Sequence, residues 1–311
     1  MAAARNPVLQ WCAASVIILY IRSVSCVPLP LARSIGRRLG RIAYYLVPRV
    51  RTVGLANLDL AYGDEITRAE KKAILKESME NLGILTAEFP HVQALHSGDP
   101  DDFFEVRNVE NVDQTRGGIA ISAHMSNWEW MAVILSIHNP NNCVVVRPLD
   151  NPRLYSEIRR LRGDTGLLML DKKDTGTKII KAVREGHMVG LLVDQSARSN
   201  GVPVNFFGQP CWATIGPVMV AMRAKAPIYP ISMHREANGK YVLTCHPPIT
   251  IERTGDIHRD LISNTQACQD AIEMIVREHP GQWMWIHKRW KKHRRMQDEW
   301  DKKLSKSKPD G

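Results

Sequence analysis

Residues 121–130 read Ile-Ser-Ala-His-Met-Ser-Asn-Trp-Glu-Trp, and this block has the residue types that proton chemistry needs. An imidazole can take up and return a proton near neutral pH. A carboxylate beside it fixes the ring tautomer and stabilises the imidazolium. His124 and Glu129 are five positions apart. In one continuous helix that spacing sets them about 140° apart, so they would not share a face. They converge if His124 lies in a loop and a helix begins at Ser126 or Asn127. Two plainer readings stand beside this one. Ser126-x-x-Glu129 is also a capping box, and His124 is also suited to be a satisfied loop histidine.

Other polar residues fall at the ends of apolar runs. Arg147 closes Cys-Val-Val-Val-Arg, and Asp194-Gln195 closes the run from His187. In α/β sheets, ligand sites gather at the carboxyl ends of strands, so His124, Arg147 and Asp194 are expected around one crevice. Each has an ordinary alternative: a turn or cap for Asp194, a surface charge for Arg147. Arg159, Arg160 and Arg162 cluster on the next helical stretch, where a solvated face is the usual explanation.

These residues need strands and helices to place them. Helices are expected over 66–89 (with Thr67 and Glu70 as a capping box), 127–137, 152–163, 174–185, 213–226 and 258–278. Strands are expected at 103–109, 119–123, 143–147, 167–170, 187–194, 228–234 and 240–246. Residues 196–211, rich in Gly, Pro and Asn, read as a loop. Alternating strands and helices give an α/β fold with a central sheet flanked by helices. The 311 residues divide into an amino-terminal segment, 1–50, and one catalytic domain, 51–311. Met219 and Met222 read as core rather than as a lipid groove.

The charge is uneven. Residues 1–58 carry eight Arg and no acid, residues 288–308 carry +7, and the span between, 52–287, is slightly acidic. Both ends therefore suit an anionic partner. Residues 8–21 are fourteen uncharged residues, short of the roughly 20 that span a bilayer. Residues 31–47 place Leu31, Ile35, Leu39, Ile42 and Leu46 at helical spacing between arginines, a pattern suited to an anionic lipid surface. The first reading of this end is an uncleaved anchor plus a surface helix. The second is a cleaved signal peptide, and the third is a pair of amphipathic helices packed on the chain's own core.

Near the other end, Pro-Gly-Gln-Trp-Met-Trp-Ile-His-Lys-Arg-Trp, starting at 280, interleaves Trp with basic residues. Membrane interface and nucleic acid both suit that mixture; with no nucleic-acid motif beside it, the membrane is the stronger reading. The six cysteines form no CxxC pair, which points to reduced, mostly buried thiols and to no metal site. No GxGxxG, P-loop or GxSxG is present, and no cofactor is expected.

Taken in order, these blocks resemble the bacterial lipid A biosynthesis acyltransferase family, the lauroyl/myristoyl transferases. The resemblance runs through His-x4-Glu, Val-Val-Arg-Pro-Leu-Asp-Asn-Pro (145–152), Arg-Arg-Leu-Arg-Gly (159–163), Leu-Asp-Lys-Lys-Asp (170–174), Gly-Leu-Leu-Val-Asp-Gln (190–195), Val-Asn-Phe-Phe-Gly-Gln-Pro (204–210) and the Trp-rich close. It implies a glycerolipid-acyltransferase-like sheet with an amino-terminal membrane-associated helical segment. It implies transfer of a fatty acyl chain from acyl carrier protein to a lipid A precursor hydroxyl, at the cytoplasmic side of the inner membrane. His124 would be the base and Glu129 its orienter, with Arg147, Arg160, Arg162 and Asp194 around the substrates. No acyl-enzyme is implied. The alternatives are another lipid acceptor (a phospholipid, an ornithine lipid or a glycosylated phospholipid) and a non-catalytic, basic membrane-peripheral binding protein. A nucleic-acid binder ranks after these.

Overall fold

The computed structural model describes residues 7–113, 115–138, 142–146, 151–163, 168–171, 175–197, 199–291, 297, 298 and 300. Four helices come first: α1 (Pro7–Ser25), α2 (Leu29–Leu46), α3 (Pro48–Tyr62) and α4 (Arg68–Glu88). The short α5 (Ala94–Ser97) leads to β1 (Phe104–Arg107), β2 (Gly118–Ser122), α6 (Trp128–His138), β3 (Asn142–Val146) and α7 (Pro152–Gly163). Next are β4 (Leu168–Asp171), α8 (Thr175–Arg184), β5 (Met188–Leu192), β6 (Gly201–Phe206), β7 (Gln209–Thr214) and α9 (Gly216–Ala224). β8 (Ile228–Arg235), β9 (Tyr241–Cys245) and α10 (Ile257–Glu278) follow.

Seven of the described strands make one sheet in the order β1-β9-β8-β2-β5-β3-β4. The run from β8 to β4 is parallel; β9 is antiparallel to β8 and carries β1 parallel to itself. Every residue of β2 is buried, as both faces of a parallel sheet are covered by helices. Ile119 and Ile121 join the core beneath α8, α9 and α10, while Ala120 joins the one beneath α6. Between β5 and β8 the chain changes sides of β2, so the carboxyl end of β2 borders the crevice where such sheets bind ligands.

α4 begins as its sequence dictates. The Thr67 hydroxyl accepts from the Glu70 amide at 3.3 Å, and the Glu70 carboxylate accepts from the Thr67 amide at 2.7 Å. The expected loop at 196–211 is instead mostly a hairpin. β6 and β7 pair from Gly201↔Thr214 to Phe206↔Gln209. The two residues at the turn, Phe207 and Gly208, both have positive φ (53° and 66°). That is the left-handed pair a tight hairpin demands, and here a glycine fills only its second place. Residues 213 and 214, expected in a helix, belong to β7, and α9 starts at Gly216.

α2 packs on α4 through Ala32, Gly36, Gly40 and Tyr44. A Cβ at Gly40 would come within 2.0 Å of the Met79 carbonyl oxygen, so only glycine allows this approach. Leu31, Leu39, Ile42, Tyr45 and Leu46 remain exposed on the outer side. α1 lies against α7, where Ile21 meets Leu161 and Arg22 pairs with Glu157 at 3.3 Å. Among the described residues no helix is long and apolar enough to cross a membrane.

The Trp-rich carboxyl segment is a correction to its surface reading. Trp283, Trp285 and Arg289 are fully buried. Trp283 and Trp285 pack edge to face at 4.6 Å, and Arg289 lies over the Phe206 ring and donates to the Trp212 carbonyl and to Gln269. The cysteines are all free; 143, 211, 245 and 268 are buried, while Cys12 and Cys26 are exposed. Met219 and Met222 pack against the core.

Candidate active site

The register of two neighbouring strands builds the site. β2 and β5 pair in parallel with Ser122 opposite Leu192. Two residues beyond each, the chain delivers His124 and Asp194. The Asp194 carboxylate meets His124 Nδ1 at 2.7 Å and accepts from the His124 backbone N–H at 2.9 Å. The Trp283 indole N–H donates to the same carboxylate at 2.8 Å. Asp194 is otherwise sealed in the interior, and 21% of the His124 side chain is exposed. A carboxylate at Nδ1 places the ring proton there and leaves the Nε2 lone pair outward.

Burial alone would raise the Asp194 carboxyl. The His124 charge, the two hydrogen bonds from His124 and the one from Trp283 outweigh it and hold the group down at about 2. Burial likewise disfavours the charged imidazole, yet the adjacent Asp194 charge and hydrogen bond, with a smaller contribution from Glu129, leave His124 above its usual value. An ionised acid thus faces a strengthened base.

The loop carrying His124 is tied down on several sides. Ser126 sits in the left-handed region at φ 54°, and its amide donates to the Gln282 carbonyl at 2.8 Å. Met125 bridges Trp283, and the Met284 amide donates to the His124 carbonyl at 3.0 Å. Asn127, rather than Ser126, caps α6: its side-chain oxygen accepts from the Trp130 amide at 3.0 Å. The Asn127 amide donates to Glu88 at 2.8 Å, and the fully buried Glu88 also receives Arg33 at 2.6 Å and the Tyr241 hydroxyl at 2.5 Å.

A cavity of about 330 Å³ opens beside the imidazole. His124, Trp128 and Glu129 line its polar part; Val133, Leu135, Val144 and Leu191 are among the apolar residues that line the rest. The Trp128 ring meets His124 edge to face at 5.2 Å. A predominantly apolar pocket with a few convergent polar groups at one end suits a chain-like apolar ligand with a reactive head.

The expected site residues are distributed as follows. His124 and Asp194 are brought together, and Glu129 shares the cavity wall with His124 while Asp194 lies behind it. The hydrogen bond expected from Glu129 to the imidazole is the one Asp194 makes at Nδ1. Arg160 is exposed on α7 and pairs with Glu157 at 3.1 Å; it lies two residues after Ile158, which lines the cavity. Arg147 lies outside the described residues, as does the side chain of Arg162 in α7. Trp283, Asn127 and Glu88 escaped the sequence reading. Trp283 stands in a conspicuous motif whose basic neighbours suggested a surface; nothing local marks Glu88.

Together these features define an acid–base site at the carboxyl end of a parallel sheet, opening on an apolar cavity. The model of the bacterial lipid A biosynthesis acyltransferase family matches residues 4–292. The chain belongs to that family, and it is an acyltransferase. It is 26% identical to a lipid A biosynthesis acyltransferase of Haemophilus influenzae, with 87% of each chain covered. It is 25% identical to the lipid A biosynthesis lauroyltransferase of Escherichia coli K12, with 91% of each covered. A phosphatidylinositol mannoside acyltransferase of Mycobacterium tuberculosis is 22% identical over 56% of this chain and 54% of its own. Among solved structures, a 1-acyl-sn-glycerophosphate acyltransferase of Thermotoga maritima matches with a TM-score of 0.35 at 15% identity, covering 81% of this chain and 99% of that one.

Proposed function

We propose that the protein moves a fatty acyl chain from the thioester of acyl carrier protein to a hydroxyl of a lipid A precursor, with His124 as general base. The observation that carries this reading is the His124–Asp194 pair at the polar end of an apolar cavity. Asp194 fixes the proton on Nδ1 and stabilises the imidazolium. Nε2 takes the hydroxyl proton as the oxygen attacks the thioester carbonyl. The tetrahedral intermediate then expels the thiolate, and the imidazolium returns the proton to sulfur. Base catalysis of this kind contributes roughly 10²–10⁴-fold. The first turn of α6, which carries Trp128 and Glu129 onto the cavity wall, brings the positive end of the helix dipole to the developing oxyanion.

Glu129 adds negative charge near the imidazolium. Arg147, Arg160 and Arg162 are the groups we assign to the anionic parts of donor and acceptor. The apolar, arginine-rich outer side of α2 suits an anionic lipid surface, consistent with work at the cytoplasmic face of the inner membrane. The mannoside acyltransferase among the relatives keeps a second acceptor class in view, a glycosylated phospholipid.

The test is His124→Ala in the full-length protein, assayed with acyl carrier protein thioester and lipid acceptor. Loss of transfer in a protein that stays folded is expected, with a lowered melting point because the buried Asp194 carboxylate loses its partner; most of the activity surviving in a folded variant would end the mechanism. Mass analysis of lipids from cells lacking the protein separates the acceptors.

A further inference from the structure

Consecutive residues clamp both nitrogens of the His124 ring. Asp194 takes Nδ1, and the next residue, Gln195, places its amide nitrogen 3.3 Å from Nε2. With the ring proton held on Nδ1 by the carboxylate, Nε2 is an acceptor, so the Gln195 amide donates to it. The atom that must take the proton from the acyl acceptor is thus already occupied at rest. The contact is long and partly exposed, as befits a bond made to be exchanged.

A thioester beside a free general base is open to water. Water attack forms a C–O bond, breaks C–S, passes the water proton to Nε2 and then to sulfur, and yields a free fatty acid and a thiol. The desired reaction differs only in the oxygen that attacks. Water brings no binding energy beyond its own hydrogen bonds, whereas an acceptor lipid is anchored by contacts remote from its hydroxyl and can use that anchoring to displace a resident group.

We propose that Gln195 is a specificity-determining residue that occupies the base until an anchored lipid hydroxyl displaces it, so that the thioester is transferred and not hydrolysed. Gln195 acts through His124, and its effect should appear in the partition of the thioester rather than in one rate. The inference rests on the acyl-transfer reading.

The experiment compares wild type, Gln195→Ala and Gln195→Met, the last keeping volume without an N–H donor. Each full-length protein is given a lauroyl thioester of acyl carrier protein, with and without a lipid A precursor in detergent micelles. Free laurate and acylated lipid are counted separately, and His124→Ala supplies the blank. Both variants are expected to raise the ratio of hydrolysis to transfer tenfold or more over wild type, and to raise free laurate in the absence of acceptor. A ratio within twofold of wild type in both folded variants overturns the proposal, even if both rates fall together, for that pattern marks a merely structural side chain. The two readings fail separately. If wild type transfers nothing to the lipid, the acyl-transfer reading fails. Hydrolysis without acceptor still decides whether Gln195 shields the base, and no increase in either variant refutes that.

Discussion

Asp194 holds His124 at two points, by its carboxylate on Nδ1 at 2.7 Å and by accepting the backbone N–H at 2.9 Å. One side chain therefore sets both the tautomer and the position of the loop. Asp194→Asn keeps the shape and removes the charge. Its amide can offer an N–H to Nδ1 and so favour the wrong tautomer. Activity is expected to fall roughly 10²–10⁴-fold. His124 is active when neutral, and its folded value is raised, so the acid limb of the wild-type rate profile should lie above pH 6.5. In the variant that limb should move to lower pH, as a pH–rate series will record. A limb that stays in place would separate Asp194 from the titration of the ring.

Glu129 also bears on the ring, from the cavity wall, and its charge contributes less than that of Asp194 to raising His124. Glu129→Gln is expected to shift the acid limb in the same direction but by less, and to cost less rate than Asp194→Asn. Parallel profiles of the two variants decide between them. A larger loss in Glu129→Gln would return the principal role to that residue.

The Trp283 indole donates to Asp194, and Trp283→Phe removes the donor while keeping most of the ring. Leaving a buried carboxylate one bond short costs about 1–3 kcal/mol. The folded Asp194 value is depressed, so its stabilising contribution is present above the unfolded value of 3.8 and is lost as pH falls towards about 2. The deficit of Trp283→Phe should therefore be full at pH 7 and shrink below pH 4. Denaturant melts across that range measure it.

The order of strands and helices could be read because short apolar runs between Gly, Pro and Asn punctuation are characteristic of buried parallel strands. His124 was visible as a polar residue at the end of one such run, and Asp194 as another. Their meeting was not visible, because it depends on which strands lie side by side and in what register. Local chemistry favoured Glu129, five residues away, over Asp194, seventy residues away. The hairpin at 201–214 was hidden by its composition: Pro203, Asn205 and Gly208 signal a loop, while the alternate burial of Val202, Val204 and Phe206 makes it a strand pair. The Trp-rich close misled for a related reason. Trp and Arg suit interfaces in general, and burial of Trp283, Trp285 and Arg289 becomes evident only once the hairpin supplies their partners.

The outer side of α2 offers a test that leaves the site untouched. Leu39 and Ile42 are exposed beside Arg37, Arg38 and Arg41, so replacing both with Asp should change stability by no more than about 0.5 kcal/mol per site. If this side meets lipid, flotation with anionic vesicles should fall severalfold in Leu39→Asp/Ile42→Asp, and wild-type binding should weaken with salt. Equal flotation of the two proteins would remove α2 from the lipid contact.

The cavity sets the last expectation. Ala132 lies on its wall on α6, between the buried Met131 and Val133. Ala132→Phe puts a ring into space that the acyl chain needs. Each methylene denied burial forfeits about 0.8 kcal/mol, a factor of roughly four in preference. Excluding three or four methylenes should therefore shift the preferred donor by about that many carbons and disfavour the original chain on the order of 100-fold. The shorter donor should lose less rate than the original one, because the substitution adds bulk to the cavity wall and leaves the His124–Asp194 pair in place. Competition between thioesters of graded length, read by mass spectrometry of the product lipid, measures the shift. An unchanged length profile in a folded Ala132→Phe protein would place the acyl chain elsewhere.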